Sequence, residues 1–296
     1  MHRGADISDK IRKFLYSQFE DLYNPFLMKN MLKAVKRIET ALMNNEKILI
    51  FGDKDTDGIT SIAIIYRTLK GHNARVEYMI PAPDDDYDIS PKIADYAKEN
   101  NIALIITVDC GISAFDTAAK ISEYNIDLII TDHHEPQDTL PNAYTILNPK
   151  QIDCEYPDKM LAGCGVALKL ASAIILYFSR NNFFFESDAD NLKKISSAEL
   201  LKNYNYKLFL RKYLPIAAIG SIADVVPLAN ENRIITKLGY DILKAAPPLF
   251  AKILFEKLGI EKISGNTIGF KIAPLLNASR RMKKISYSLD FLLTDD

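Results

Sequence analysis

Four nearly unbroken apolar runs punctuate the first half of the chain: Lys47–Phe51, Ile102–Val108, Asp127–Thr131 and Ala143–Leu147. Runs of this length read as buried strands. Ala74–Ile80 reads as a further strand. Between them, Ile59–Lys70 has a helical pattern, Ser90-Pro91 opens another helix, and Ser113 caps the next. Strands alternating with helices predict an α/β fold, a parallel β-sheet with helices on both faces. Upstream, Asn24-Pro25 reads as a helix start, with Asn as cap and Pro in the first turn. Phe26, Met31, Leu32, Val35, Ile38 and Leu42 follow at roughly helical spacing.

From Gly163 the strands stop. Gly163–Tyr177, Leu200–Leu210, Pro215–Ile222, Ile234–Leu243, Pro248–Leu258 and Thr267–Asn277 read as helices, and Asn181–Lys194 is a polar, aromatic and irregular insertion. The expected organisation is an N-terminal helical arm (1–45), an α/β domain (46–160) and a mostly helical portion (161–296). No Pro/Gly/Ser-rich linker divides the last two, so they are expected to pack as one unit.

Composition changes this picture little. With 48% hydrophobic and 25% charged residues the chain is ordinary for a soluble globular protein. The formal net charge of −1 gives no global basic field and leaves only a local basic patch for nucleic acid. No apolar run reaches the roughly 18 residues of a membrane span, and the N-terminus MHRGADISDK lacks the apolar stretch of a secretion signal. Cys110, Cys154 and Cys164 show no CxxC spacing and read as reduced thiols. A cytoplasmic protein without membrane attachment is expected.

The candidate chemistry sits at the strand ends. The stretch ILIFGDKDTDGI places Asp53, Asp55 and Asp57 after the first run; Asp109 follows the second, and Asp132, His133 and His134 the third. In a doubly wound sheet the carboxyl ends of parallel strands share one edge, so these residues should meet. Carboxylates packed together repel, and hard divalent cations are their natural counter-charge. Oxygen-rich ligation with some imidazole favours two Mn²⁺, with Mg²⁺ next; zinc prefers more nitrogen and sulfur. Two such ions commonly serve phosphoester hydrolysis. Each piece also has a plainer reading. A single Asp after a strand is ordinarily a cap or turn former. An EF-hand calcium loop would need Glu at its twelfth position, where Ile64 stands.

GDKDTDG, VDCGI and TDHH resemble the first three motifs of the DHH phosphoesterase superfamily. LNPKQIDCEYPDKMLAGCGVALKL (Leu147–Leu170), IADVVPLANENR (Ile222–Arg233) and APLLNASRRM (Ala273–Met282) are similar to its RecJ family of single-strand-specific 5′→3′ DNA exonucleases. The resemblance runs from about Ile48 to the C-terminus. It implies Asp55, Asp57, Asp109, His133 and Asp224 as ligands of two Mn²⁺, Asp109 bridging them. Asp53 and Asp132 would support from behind, Asp132 by orienting an imidazole, and His134 would act with Asp109 at the scissile phosphate. Asp224 comes from the resemblance alone; nothing in the strand pattern finds it. The implied activity is hydrolysis of single-stranded DNA to nucleotides in DNA repair and recombination. Single-stranded DNA is the implied partner, with a single-strand-binding protein or a helicase beside it. Two rival readings are a DHH phosphodiesterase for short oligonucleotides or cyclic dinucleotides, and a catalytically silent DHH scaffold.

Substrate contacts are less defined. Gly163 and Gly165 open a helix whose amides suit a phosphate, or else allow tight packing. Arg280, Arg281, Lys283 and Lys284 are a basic run for a DNA backbone, or else a solvated helix end. Asn277 belongs to the same motif, and Tyr156, Tyr177 and the aromatics of Asn181–Phe185 are candidates for base stacking. Two departures stand out. Leu275 replaces the family's usual arginine and Arg280 its usual glycine. The chain ends at LLTDD, without the GGH motif of the family's DHHA1 domain, so a fragment or a protein lacking that nucleic-acid grip is expected.

Overall fold

Five strands, Lys47–Gly52 (β1), Arg75–Met79 (β2), Ile102–Val108 (β3), Asp127–Thr131 (β4) and Thr145–Leu147 (β5), form one sheet in the order β2-β1-β3-β4-β5. All neighbours pair in parallel. A computed structural model describes residues 11–81, 89–179, 188–281 and 286–294. Residues 1–10, the acids Asp84, Asp85 and Asp86, the stretch 181–185, and Lys283 and Lys284 lie outside the described residues, as do the side chains of Arg280 and Arg281.

The unbroken apolar runs follow from burial on both faces. Ile48, Ile50, Leu104, Ile106 and Ile129 point to one side, where they meet helices Met31–Met43 (α1), Thr56–Gly71 (α2) and, beyond the sheet, Gly163–Phe178 (α5). Leu49, Phe51, Ile105, Leu128 and Ile130 point to the other, against helices Lys92–Glu99 (α3) and Phe115–Glu123 (α4). Alternate residues serve opposite cores, so the central strands β1, β3 and β4 are apolar through their middles, while the edge strand β2 keeps Arg75 and Glu77.

The second half is helical: Ala189–Lys194 (α6), Ser197–Leu200 (α7), Tyr204–Ala223 (α8), Asn230–Ala245 (α9), Leu249–Lys257 (α10), Gly265–Thr267 (α11), Ala273–Arg281 (α12) and Ser286–Leu293 (α13). Helix α8 packs on α2, α5 and α9. One apolar core runs from Leu22 through α2, α5 and α8 to Leu292, so both halves share it. Among the described residues no helix is long and apolar enough to cross a membrane.

Several local expectations need correction. Leu200–Leu210 and Pro215–Ile222 are not two helices: α8 runs through Pro215. Its flanks, Tyr213 to Ser221, are buried, and that packing overrides the lost backbone bond. Asn24 does cap, accepting the Phe26 amide at 2.9 Å, but it opens a 3₁₀ turn, Pro25–Leu27; α1 begins only at Met31, after Asn30 at φ 65°. Ser113 is not a cap, since α4 starts after Ala114. The fifth strand is shorter than expected, Thr145–Leu147. The irregular insertion contains α6, whose cap Asp188 accepts the Asn191 amide at 2.8 Å. A π-helical turn, Ile268–Ile272, interrupts the expected Thr267–Asn277 helix.

Register decides which residues meet at the carboxyl edge of the sheet. Gly52 pairs with Val108, Val108 with Thr131, and Thr131 with Leu147. The next residues, Asp53, Asp109, Asp132 and Asn148, therefore stand in a row along that edge. The backbone continues the ladder there: Asp53 N–H donates to Val108 O (3.3 Å), Asp109 N–H to Thr131 O (2.9 Å) and Asp132 N–H to Leu147 O (3.0 Å). Strand order reverses between β1 and β3, the place where open α/β sheets hold their ligands.

Candidate metal centre

The acidic turn after β1 is half helix. Asp55 caps α2, its Oδ1 accepting the Gly58 amide at 3.0 Å, so Thr56, Asp57 and Gly58 form the first helical turn. Gly58 is required because any side chain there would collide with the Asp53 carbonyl. Asp57 then points across to α5: Oδ2 accepts the Gly163 amide at 2.8 Å and Oδ1 the Cys164 amide at 2.9 Å. The start of α5 is thus an anion site, but its anion is Asp57. Gly163 and Gly165 are therefore not free to hold a substrate phosphate. A side chain at Gly163 would strike the Asp109 carboxylate, and one at Gly165 would strike Leu161. Tight packing is the reading that holds.

Asp109 leaves β3 in the left-handed region, φ 61°, a conformation Asp tolerates better than most residues. Its Oδ1 lies 3.1 Å from His133 Nε2, which is also 3.7 Å from Asp224 Oδ2 and 4.0 Å from Asp57 Oδ2. Asp109 Oδ1 and His133 Nε2 are both buried, and among the described residues neither has a hydrogen-bond partner. Asp224 closes the far end of α8. The ligand atoms of Asp57, His133 and Asp224 lie within 4.8 Å of one another, as do those of Asp53, Asp55 and Asp109, and those of Asp109, His133 and His134.

Asp132 is committed elsewhere. Its Oδ1 accepts the amides of His133 (2.7 Å) and His134 (3.0 Å) and stands 2.8 Å from His134 Nδ1; its Oδ2 accepts the Ile112 amide at 2.9 Å. The His134 ring packs against that of His133, with centroids 4.4 Å apart. A cavity of about 240 Å³ opens beside these groups, lined by Asp53, Asp109, Gly111, Ile112, Asp132 and His134. A larger cleft of about 610 Å³ runs along Phe26–Lys36 and Lys193 and contains none of the row of acids.

The electrostatics show a site short of positive charge. Burial, then the charges of Asp57 and Asp55, push the Asp109 carboxyl well above the ordinary range. The same causes push Asp224 up to about 7. Burial also raises Asp55 and lowers His133. For Asp132 burial works upward, but the bonds from His134 outweigh it and hold that carboxyl low. His134 is raised, chiefly by its bond to Asp132.

These residues fit a pair of hard divalent ions. The donors are mostly carboxylate oxygens, and two buried ligand atoms converge without a bond to each other. Asp55, Asp57, Asp109, His133 and Asp224, the ligand set expected from the resemblance, are all brought together. Asp53, expected behind them, stands instead in a ligand-competent group.

The model of the DHH family, N-terminal domain, matches residues 47–201. The chain belongs to the DHH family. Among its relatives, this DHH chain is 38% identical over 297 residues to the single-stranded-DNA-specific exonuclease RecJ of Bacillus subtilis, covering 99% of this chain and 34% of that protein. It is 34% identical over 269 residues to RecJ of Escherichia coli, covering 89% and 44%. It thus spans less than half the length of these curated relatives. Its fold is similar to a crystal structure of exonuclease RecJ bound to manganese, with TM-score 0.73, 29% identity, and coverage of 91% of this chain and 62% of that one. RecJ of Thermus thermophilus in complex with Mn²⁺ matches with TM-score 0.69 at 29% identity, covering 91% and 35%.

Other candidates are not at the site. Tyr156 is buried with its hydroxyl on Glu231, and Tyr177 is buried with its hydroxyl 3.1 Å from Glu39 Oε2, so neither is placed to stack on a base. Asn277 reaches the rim of the site, where its Oδ1 accepts from Thr56 Oγ1 at 2.8 Å and so ties α12 to the start of α2. Three side chains that shape the site were not singled out in the sequence: Thr56, inside GDKDTDG, and Asn148 and Asn232. The last two lie inside LNPK and NENR, stretches whose family likeness is the only available signal.

Proposed function

We propose that this chain is the catalytic core of a metal-dependent phosphodiesterase of the RecJ type. It releases nucleotides from single-stranded DNA in the 5′→3′ direction, with Mn²⁺ as the preferred ion and Mg²⁺ as the substitute. The observation that carries the reading is the convergence of Asp109 Oδ1 and His133 Nε2, buried and unbonded, amid Asp53, Asp55, Asp57 and Asp224. The names of the DHH relatives, RecJ exonucleases seen with Mn²⁺ or Mg²⁺, support it. A cytoplasmic role in DNA repair and recombination, beside a single-strand-binding protein or a helicase, belongs to the same proposal.

Asp55, Asp57, Asp109, His133 and Asp224 would hold two ions, with Asp53 in reach and Asp109 between the groups. Bound there, the ions would acidify water and offset charge on the phosphoryl oxygens. The chain's own groups do the rest. Asp57 is fixed by two amides of α5, and that bond sets the spacing between the sheet and the helical half. Asp132 Oδ1, 2.8 Å from His134 Nδ1, fixes the imidazole ring beside the acids. The bond to Asp132 favours the charged form of His134, which would offset the charge that the phosphoryl oxygens gain.

The test is Mn²⁺-dependent release of nucleotides from a 5′-labelled single strand, compared with duplex DNA and with dinucleotides. Release confined to single strands is expected. Turnover of dinucleotides alone would point to the short-oligonucleotide reading, and no turnover by folded, Mn²⁺-loaded protein would overturn the proposal.

A further inference from the structure

The segment after β5 starts at Asn148, the last of the row of strand ends, and places Lys150 beside the His134 backbone. Asn148 is fully buried. Its Nδ2 donates to the His134 carbonyl at 2.9 Å, and its Oδ1 accepts the Lys150 amide at 2.8 Å. One side chain thus fastens the Lys150 backbone to that of His134. The Lys150 side chain is 18% exposed, with Nζ 3.5 Å from Oε2 of Glu135, whose side chain is 80% exposed. A contact of that length to a solvated carboxylate is a weak tether.

A cation on the protein side of a phosphodiester's non-bridging oxygens would hold it more strongly than neutral donors do, in addition to His134 and the ions. Arg37 and Lys169 do not serve. Arg37 is bound to Asp127 and Glu46, and Lys169 is buried against Glu231. We propose that Lys150 is a substrate-binding residue: its ammonium leaves Glu135 and takes a non-bridging phosphate oxygen at the His134 side of the site. The proposal rests on the phosphodiesterase reading above and adds to it the protein cation that holds the substrate. Asn148 is its positioning residue, and Glu135 holds the ammonium until substrate arrives.

The experiment measures binding of thymidine 5′-monophosphate to Mn²⁺-loaded protein by calorimetry. Lys150→Met is expected to weaken it about tenfold, Lys150→Arg to keep most of it, and Glu135→Gln to tighten it about twofold. The salt dependence of single-strand binding in Lys150→Met should lose about one phosphate contact. Mn²⁺ affinity and melting temperature should stay unchanged. Nucleotide binding by Lys150→Met within twofold of the wild type would overturn the proposal. So would a loss matched by an equal loss of Mn²⁺ affinity, or no nucleotide binding by the wild type. A wild type that binds nucleotide through Lys150 but degrades no single strand would overturn the exonuclease reading and leave the cation site standing.

Discussion

Asp132 holds His134 by its ring, Oδ1 to Nδ1 at 2.8 Å, while the same oxygen accepts the backbone amides of His133 and His134. The carboxylate fixes the orientation of the imidazole and favours its charged form. Asp132→Asn should keep part of the amide bonding and lose the charge that favours the protonated form of His134. We expect kcat to fall about 100-fold with Mn²⁺ affinity changed less than tenfold. Parallel turnover and Mn²⁺ titrations check this; equal losses in both would assign Asp132 to the metals.

The raised carboxyl groups predict the pH dependence of the metal-free protein. Asp109 and Asp224 bind protons more tightly folded than unfolded. The folded state is therefore favoured while they are protonated. That advantage declines as pH rises above the ordinary carboxylate value near 4 and, for Asp224, is gone above about 7. In chelator, the melting temperature should drop by roughly 5 °C between pH 5 and pH 8. Saturating Mn²⁺ should reverse the slope, because ligands must be deprotonated to bind. A flat metal-free profile would contradict the charge crowding.

Asp109→Asn removes one of the mutually repelling charges while keeping a side chain that tolerates the left-handed backbone. Without metal the variant should melt at or above the wild-type temperature. With Mn²⁺ it should lose at least about 1,000-fold in turnover, since a ligand and its charge are both gone. A metal-free melting temperature several degrees lower would make Asp109 a structural residue.

Asn232 is a buried clasp. Its Oδ1 accepts the Ala162 amide at 3.2 Å, and its Nδ2 donates to Met160 O at 2.5 Å and Pro227 O at 3.3 Å. It therefore joins the approach to α5, whose amides hold Asp57, to the loop that follows Asp224. Asn232→Ala leaves the buried Ala162 amide and two partly buried carbonyls without this partner and should cost about 1 to 2 kcal/mol, read by denaturant unfolding. Mn²⁺ affinity should fall about tenfold as Asp57 and Asp224 lose their spacing. Unchanged Mn²⁺ affinity at reduced stability would confine Asn232 to the fold.

The sheet was legible because strands buried on both faces read as unbroken runs, and the acids were legible because the first of each group stands within two residues of the end of such a run. Register did the rest: Asp53, Asp109 and Asp132 align without any further signal. Asp224 was not legible in this way. Its neighbours Ile222, Ala223 and Val225 carry no pattern, and its place depends on how α8 lies across α2 and α5. The Gly163 amides misled for a related reason. A helix start attracts an anion, and only packing shows that Asp57 is that anion. Pro215 misled because a break expected from local chemistry was overridden by burial.

Asp224 stands at the end of a long helix of the second half, while Asp57 and His133 belong to the sheet half. An ion shared by all three would work as a reversible crosslink between distant parts of the chain. Rigidity along that seam would then track the free metal concentration, much as ligand binding sets stability by mass action. Metal supply would thus govern how long the protein survives a protease as well as how fast it turns over.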